Sequence, residues 1–249
     1  MIAWSERLDG PAGAHHLATT DRLGGVSGGA YAGRDHTGGL NLGDHVGDRA
    51  QDVAANRAAL ARSVGLEPER LLVLRQVHGR EVVHVQEPWT GPAPEADAMV
   101  TTASGLGLVV LVADCVPVLL VAPDEGVVAV AHAGRPGLVA GVVPAVVAAV
   151  RDLGGRRLVA RLGPSVCPRC YPVPLAMRED VAALAPSSRS VSRDAEPAVD
   201  VGAGVLEQLA AEGVRVRQLP GCTAESPDLY SYRRDGRTGR FAGLAWRAG

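Results

Sequence analysis

Lysine is missing from this 249-residue chain: every one of its 25 basic residues is Arg. That removes a Schiff-base lysine and a G-x-x-x-x-G-K phosphate loop. Any phosphate must then be held by Arg, by backbone N–H groups or by a helix end. Aromatic residues are scarce, at 3% with a single Phe, so few rings are available to stack on a ligand. No charge of one sign dominates: a formal net charge of -2 offers none of the basic character that nucleic-acid binding requires, and a small-molecule partner is expected. The longest apolar run, Leu106 to Ala122, is interrupted by Asp114 and Pro117. The opening MIAWSERLDG lacks a cationic stretch followed by an apolar one, so neither export nor membrane insertion is expected. Four cysteines, at 115, 167, 170 and 222, are too few and too unevenly spaced to staple the chain, which points to reduced thiols in a cytoplasm.

What is present is a 47% hydrophobic chain without repeats, low-complexity blocks or long linkers, expected to fold as a single domain over residues 1–249. Short Val/Leu-rich runs bounded by Gly, Pro or Asp predict strands at 71–74, 81–86, 98–101, 108–113, 116–122, 127–132 and 157–162. Several do not alternate, which implies burial on both faces. Helices are expected over 50–64, within 137–153, with Pro144 opening it late or kinking it, and over 201–212. The fold class is α+β, with helices outside buried sheets.

The chemistry concentrates in LVVLVADCVPVLLVAPDEGVVAVAHAGRPG, Leu108 to Gly137. One strand ends at Asp114-Cys115, a Pro123-Asp124-Glu125-Gly126 turn reverses the chain, and the return strand ends at His132. A thiol beside an imidazole can be a nucleophilic thiolate or half of a metal site. His78, in LRQVHGREV ahead of Gly79, is the best third donor. Two His and one Cys leave a tetrahedral zinc ion one open position, as catalytic zinc needs. The plain alternative for Cys115 is a small buried hydrophobe. His84 reads as an ordinary strand residue, and His15, His16, His36 and His45 as surface or hydrogen-bonding groups.

Eight segments in order, TDRLGGVS, LNLGDHVGD with NR after it, RQVHG, ADAMVTT, VADCVPVLL, GVVAVAHAG, GPSVCPRCYPV and SYRRDGRTGRFAG, make the chain similar to the YfiH-like or laccase-domain family. Its members are also described as multicopper polyphenol oxidoreductases and as purine nucleoside phosphorylases. The resemblance implies a layered α/β/β/α domain of mixed sheets and outer helices, with His78, Cys115 and His132 as catalytic zinc ligands. It also implies phosphorolysis of adenosine, inosine and S-methyl-5'-thioadenosine, with hydrolytic deamination of adenosine as a further activity. Purine nucleoside and phosphate are then the partners. Without Lys, Arg57 of the NR motif and Arg234 of SYRRDG are the expected phosphate ligands, the alternative for each being a local salt bridge. Asp114 would orient a ligand His or accept a ribose hydroxyl, acting as a catalytic carboxylate. Asn41 would be a polar substrate contact or a turn residue.

Two departures qualify the match. The family's AHAGWRG reads Ala131-His132-Ala133-Gly134-Arg135-Pro136-Gly137 here, so the Trp is lost, and GPCIGPCCY becomes GPSVCPRCY. Tyr230, Tyr232 and Phe241 are left as candidates for stacking. Cys167-Pro168-Arg169-Cys170 would suit a redox dithiol or half of a structural zinc site, but no second C-x-x-C follows. The H-x-E with P-C-x-x-C deaminase signature is not met. Three other readings remain open: a copper polyphenol oxidase, for which 7 His without an H-x-H are few; a metal-free Cys-His hydrolase; and a degenerate purine-binding protein.

Overall fold

The computed structural model describes residues 1–34 and 36–249. In chain order the elements begin with β1 (Ile2–Gly10), β2 (Gly13–Thr20), β3 (Leu23–Ser27) and α1 (Ala50–Ser63). The centre of the chain supplies β4 (Leu71–Val73), β5 (Val82–His84), β6 (Ala98–Thr101), β7 (Gly107–Val112), β8 (Val116–Ala122) and β9 (Val127–Ala133). Then come α2 (Arg135–Ala140), α3 (Val142–Asp152), β10 (Val159–Leu162) and α4 (Leu175–Leu184). The chain closes with β11 (Arg189–Val191), β12 (Pro197–Val199), α5 (Val201–Ala211), β13 (Arg215–Gln218), α6 (Tyr232–Asp235) and β14 (Phe241–Arg247).

Two mixed sheets stack face to face, one ordered β1-β2-β14-β7-β4 and the other β13-β10-β8-β9-β6-β5. Alternation along β8 explains the layering. Val116, Val118 and Leu120 point to Val142, Val146 and Val150 of α3 and Val205 and Leu209 of α5. Leu119 and Val121 point the other way, to Leu17, Leu108 and Val110 of the facing sheet. That sheet's outer side packs Val109, Leu111 and Leu244 on Leu60 and Ala61 of α1. The order α/β/β/α follows, and every residue of β7, β8 and β9 is buried because each strand has a packed layer on both sides. Full burial of each such Val or Leu is worth about 1.5–3 kcal/mol.

The hairpin forms as the spacing predicts: β8 and β9 pair antiparallel from Ala122↔Val127 to Val116↔Ala133, around a turn whose Gly126 has φ 75°. The helix expected within 137–153 is two helices. Gly141, at φ 85°, breaks the chain between α2 and α3, Pro136 sits in the first turn of α2, and Pro144 lies in the first turn of α3, where a missing N–H costs nothing. Strands β1, β2 and β14 and helix α4 fall outside the sequence-based assignment. Among the described residues no helix is long and apolar enough to cross a membrane.

Candidate active site

Cys115 follows the end of β7 and immediately precedes β8, and His132 sits opposite Pro117 near the end of β9. His78 arrives from the loop between β4 and β5. Together they place one ligand atom each within 4.8 Å of one another, with Cys115 Sγ 3.8 Å from His78 Nε2. The two rings meet edge to face at a centroid distance of 4.7 Å. His132 is buried, Cys115 half-buried and His78 exposed.

Asp97, which sequence reasoning missed, organises both histidines. It lies just before β6, fully buried, and its Oδ1 is 2.8 Å from His132 Nδ1. The backbone N–H of His132 also donates to the Asp97 carbonyl (2.7 Å). The same carboxylate accepts the backbone N–H groups of Val77 (3.2 Å), His78 (3.0 Å) and Gly79 (2.6 Å). This nest of N–H groups around an anion holds His78 at φ 60°, in the left-handed region that a non-glycine residue seldom occupies. Gln76 clamps the loop to β7 by exchanging two 2.8 Å hydrogen bonds with Leu111. Burial tends to raise the Asp97 pKa, but the hydrogen bonds from His132 and from Gly79 and Val77 hold it below the usual carboxylate value. With Nδ1 of His132 committed to Asp97, Nε2 is its free donor.

Electrostatics in the trio favours a Cys115 thiolate beside a charged His132, whose ring must give up a proton before it can ligate a metal. Burial alone would raise the Cys115 thiol, yet the His132 charge and hydrogen bonds from His132 and His78 bring it down to about 6. His132 moves the opposite way, to about 9: burial opposes its charge, but the Cys115 thiolate and Asp97 outweigh it. Gly134 makes room for the cluster, since a Cβ there would stand 2.8 Å from His78 Cδ2 and 2.9 Å from Cys115 Sγ.

The trio lies in the wall of a cavity of about 430 Å³, within the usual range for a small-molecule site. Arg135, Arg233 and Arg240 line it as well, with Tyr171, Tyr232, Gln76 and His45. Arg233 stacks over the Tyr171 ring at 4.3 Å. Burial pulls the Arg240 pKa down, while the charges of Cys115 and Asp114 pull it up.

Four expected residues are placed differently. Asp114, at φ 96°, lines the cavity but orients no histidine: its carboxylate accepts Thr223 Oγ1 (2.6 Å), Ser231 Oγ (2.7 Å) and the Arg233 N–H (2.7 Å). It pins the chain that carries Arg233. Arg57 does not line the cavity; it donates to the Leu42 carbonyl (2.9 Å) and pairs with Asp44 (3.2 Å). Arg234 also stays out, its guanidinium spent on the carbonyls of Thr223, Ser226 and Leu229 and on Asp235. Asn41 is fully buried and satisfied by Gly43, Asp48 and the Arg240 N–H, so it braces Arg240 from behind. Of the rings proposed for stacking, Tyr230 and Phe241 are core residues and only Tyr232 reaches the cavity, where Tyr171 joins it. Of the other histidines, His84 is exposed, His16 stacks on Trp246 at 4.9 Å, and His15 is fully buried.

Comparison with known proteins agrees with this architecture. A protein of Streptomyces coelicolor named purine nucleoside phosphorylase is 53% identical over 250 residues, covering 99% of each chain. A protein of Corynebacterium glutamicum with the same name is 45% identical over 232 residues, 91% of this chain and 92% of that one. Among solved structures, a Neisseria meningitidis protein superposes with a TM-score of 0.84 at 34% identity, covering 98% of this chain and 99% of the other. YlmD of Geobacillus stearothermophilus gives 0.85 at 29% identity over 98% and 96%. Residues 16–248 match the profile described as multi-copper polyphenol oxidoreductase laccase, and the chain belongs to that family.

Proposed function

We propose that this chain is a zinc-dependent purine nucleoside phosphorylase of the cytoplasm, acting on adenosine, inosine and S-methyl-5'-thioadenosine, with His78, Cys115 and His132 holding the ion. The observation that carries this reading is the convergence of those three donors in a cavity walled by arginine. The donor set fits zinc: one soft thiolate and two imidazoles, one of them oriented by a buried carboxylate, with Gly134 leaving space beside them. Among the described residues no imidazole-rich cluster of the kind a multicopper centre needs accompanies the trio, which favours zinc over copper. The names carried by the relatives from Streptomyces and Corynebacterium support nucleoside and phosphate as substrates.

When bound, zinc supplies a Lewis acid that polarises a substrate oxygen or nitrogen. The protein's own groups then divide the remaining work. Arg233 and Arg240, with Arg135 beside them, offer guanidinium N–H groups to phosphate and place it against the ribose C1'. Tyr232 and Tyr171 line the same cavity and are the rings available to the purine, one face of Tyr171 being covered by Arg233. Asp114 keeps Arg233 in position through its backbone N–H, and Asn41 does the same for Arg240. The metal-free Cys-His hydrolase explains the low Cys115 pKa, but it needs only one imidazole and does not require the strained backbone that brings His78 to the same sulfur.

Steady-state assays on inosine, adenosine and methylthioadenosine, with and without phosphate, test the proposal. Base release that requires phosphate and disappears in Cys115→Ala is expected, and ammonia release from adenosine without phosphate would reveal deamination at the same site. Unchanged phosphate-dependent release of hypoxanthine by the folded Cys115→Ala protein would refute it.

A further inference from the structure

The C-x-x-C segment finds a third thiol in space. Cys167 and Cys170 bracket a single turn in which the Cys170 N–H donates to the Cys167 carbonyl (3.0 Å), and Cys222 comes from the loop after β13. One sulfur from each lies within 4.8 Å of the others. A tetrahedral zinc ion with sulfurs at about 2.3 Å would set them about 3.8 Å apart, so small side-chain rotations close the set. The backbone N–H of Cys167 points at Cys222 Sγ (3.3 Å), the kind of donor that steadies a ligand thiolate. A fourth donor stands next to one of them: Glu225 Oε1 is 3.5 Å from Cys170 Sγ but not within 4.8 Å of all three sulfurs, so its side chain must swing inward to complete the set. Arg193 Nη2 stands 2.8 Å from both that sulfur and that carboxylate, which offsets the excess negative charge of such a ligand set.

We infer that Cys167, Cys170, Cys222 and Glu225 form a second, structural zinc site, separate from the centre at Cys115. Binding exchanges the three thiol protons, released to solvent, for the ion. The site would tie residues 165–171 to 222–226, and both segments serve the cavity. The Val166 N–H donates to the Asp114 carbonyl (3.0 Å), Thr223 donates to the Asp114 carboxylate, and Tyr171 carries the Arg233 stack. A closed set of four protein ligands without an open position marks the ion as structural rather than catalytic.

The test uses the full chain, purified under reducing conditions, stripped of metal and titrated with Co²⁺. Two equivalents should bind. Cys115→Ala should keep one, with the intense thiolate-to-cobalt charge-transfer absorption of a three-sulfur site. Cys170→Ser should lose most of that absorption while the equivalent at Cys115 remains. Because Cys222 is buried and its replacement could disturb folding, the Cys170 variant and the Cys115→Ala spectrum carry the decision. A Cys115→Ala protein that is folded, fully reduced and binds no Co²⁺ would overturn the inference. So would a native chain lighter by the two hydrogen atoms lost when a disulfide joins Cys222 to Cys167 or Cys170.

Discussion

Replacing Asp97 by Asn should damage this site although Asp97 does not itself line the cavity. Oδ1 of Asp97 serves His132 Nδ1 and the His78 N–H, and Oδ2 serves the N–H groups of Val77 and Gly79. All four partners are donors. An amide has one carbonyl oxygen: turned toward Val77 and Gly79, its NH₂ meets two N–H groups that nothing else satisfies, and turned toward His78 it meets one while the His132 ring must give up its Nδ1 proton to accept. At about 1–3 kcal/mol for each unsatisfied buried donor, the change should cost about 1–6 kcal/mol of stability. It should also weaken zinc binding by about 10–100-fold, because His132 loses its orienting carboxylate and the His78 loop loses its nest. Urea unfolding of the metal-free protein and competition for zinc with a chromogenic chelator measure the two effects. If Asp97→Asn stays within about 1 kcal/mol of wild type and binds zinc equally well, the organising role given to this carboxylate is refuted.

Further predictions follow from the same geometry. Arg240→Gln and Arg233→Gln should each raise the KM for phosphate by roughly tenfold or more, the worth of one charge-assisted hydrogen bond. Arg57→Gln should leave it within about twofold, because that guanidinium is held at Leu42 and Asp44. Gly134→Ala should weaken zinc binding by about tenfold or more while the fold survives, since its Cβ would press on Cys115 Sγ and His78 Cδ2; chelator competition with circular dichroism as a control reads both. In metal-free protein the Cys115 thiolate is favoured by His132 and His78 and is lost only as pH falls through about 6. Iodoacetamide should therefore label Cys115 with a midpoint near pH 6, whereas burial and its neighbouring thiols push Cys170 up to about 12 and keep it unreactive at neutral pH. A Cys115 midpoint near the ordinary thiol value would contradict the environment described.

The central strands were legible because uninterrupted Val and Leu runs need cover on both faces, and only a layered fold provides it. Strand β1, IAWSERLDG, was not, because its large apolar residues occupy one face only: Ile2, Trp4 and Leu8 share the inward side with Glu6 while Ala3, Ser5, Arg7 and Asp9 point out. The alternation was there to be read, but Glu6 on the inward face blurs it, and that residue pairs with Arg161 from β10 far along the chain. The three proposed ligands were nominated from residue chemistry and strand ends. Asp97 was not, since its role arises only where β6 and β9 bring it opposite His132, 35 residues away. The arginines show the limit most plainly. Arg233 and Arg234 are adjacent in sequence, yet the turn into α6 sends one guanidinium over Tyr171 and the other into a ring of backbone carbonyls. Local sequence carries no sign of which goes where.

The most direct test of zinc-dependent phosphorolysis is reconstitution. Metal-free protein, given inosine and phosphate, should be inactive and should regain release of hypoxanthine and ribose 1-phosphate on addition of zinc, with Cys115→Ala showing no recovery. Full activity without metal, or recovery with copper alone accompanied by oxidation of a phenol, would contradict the account.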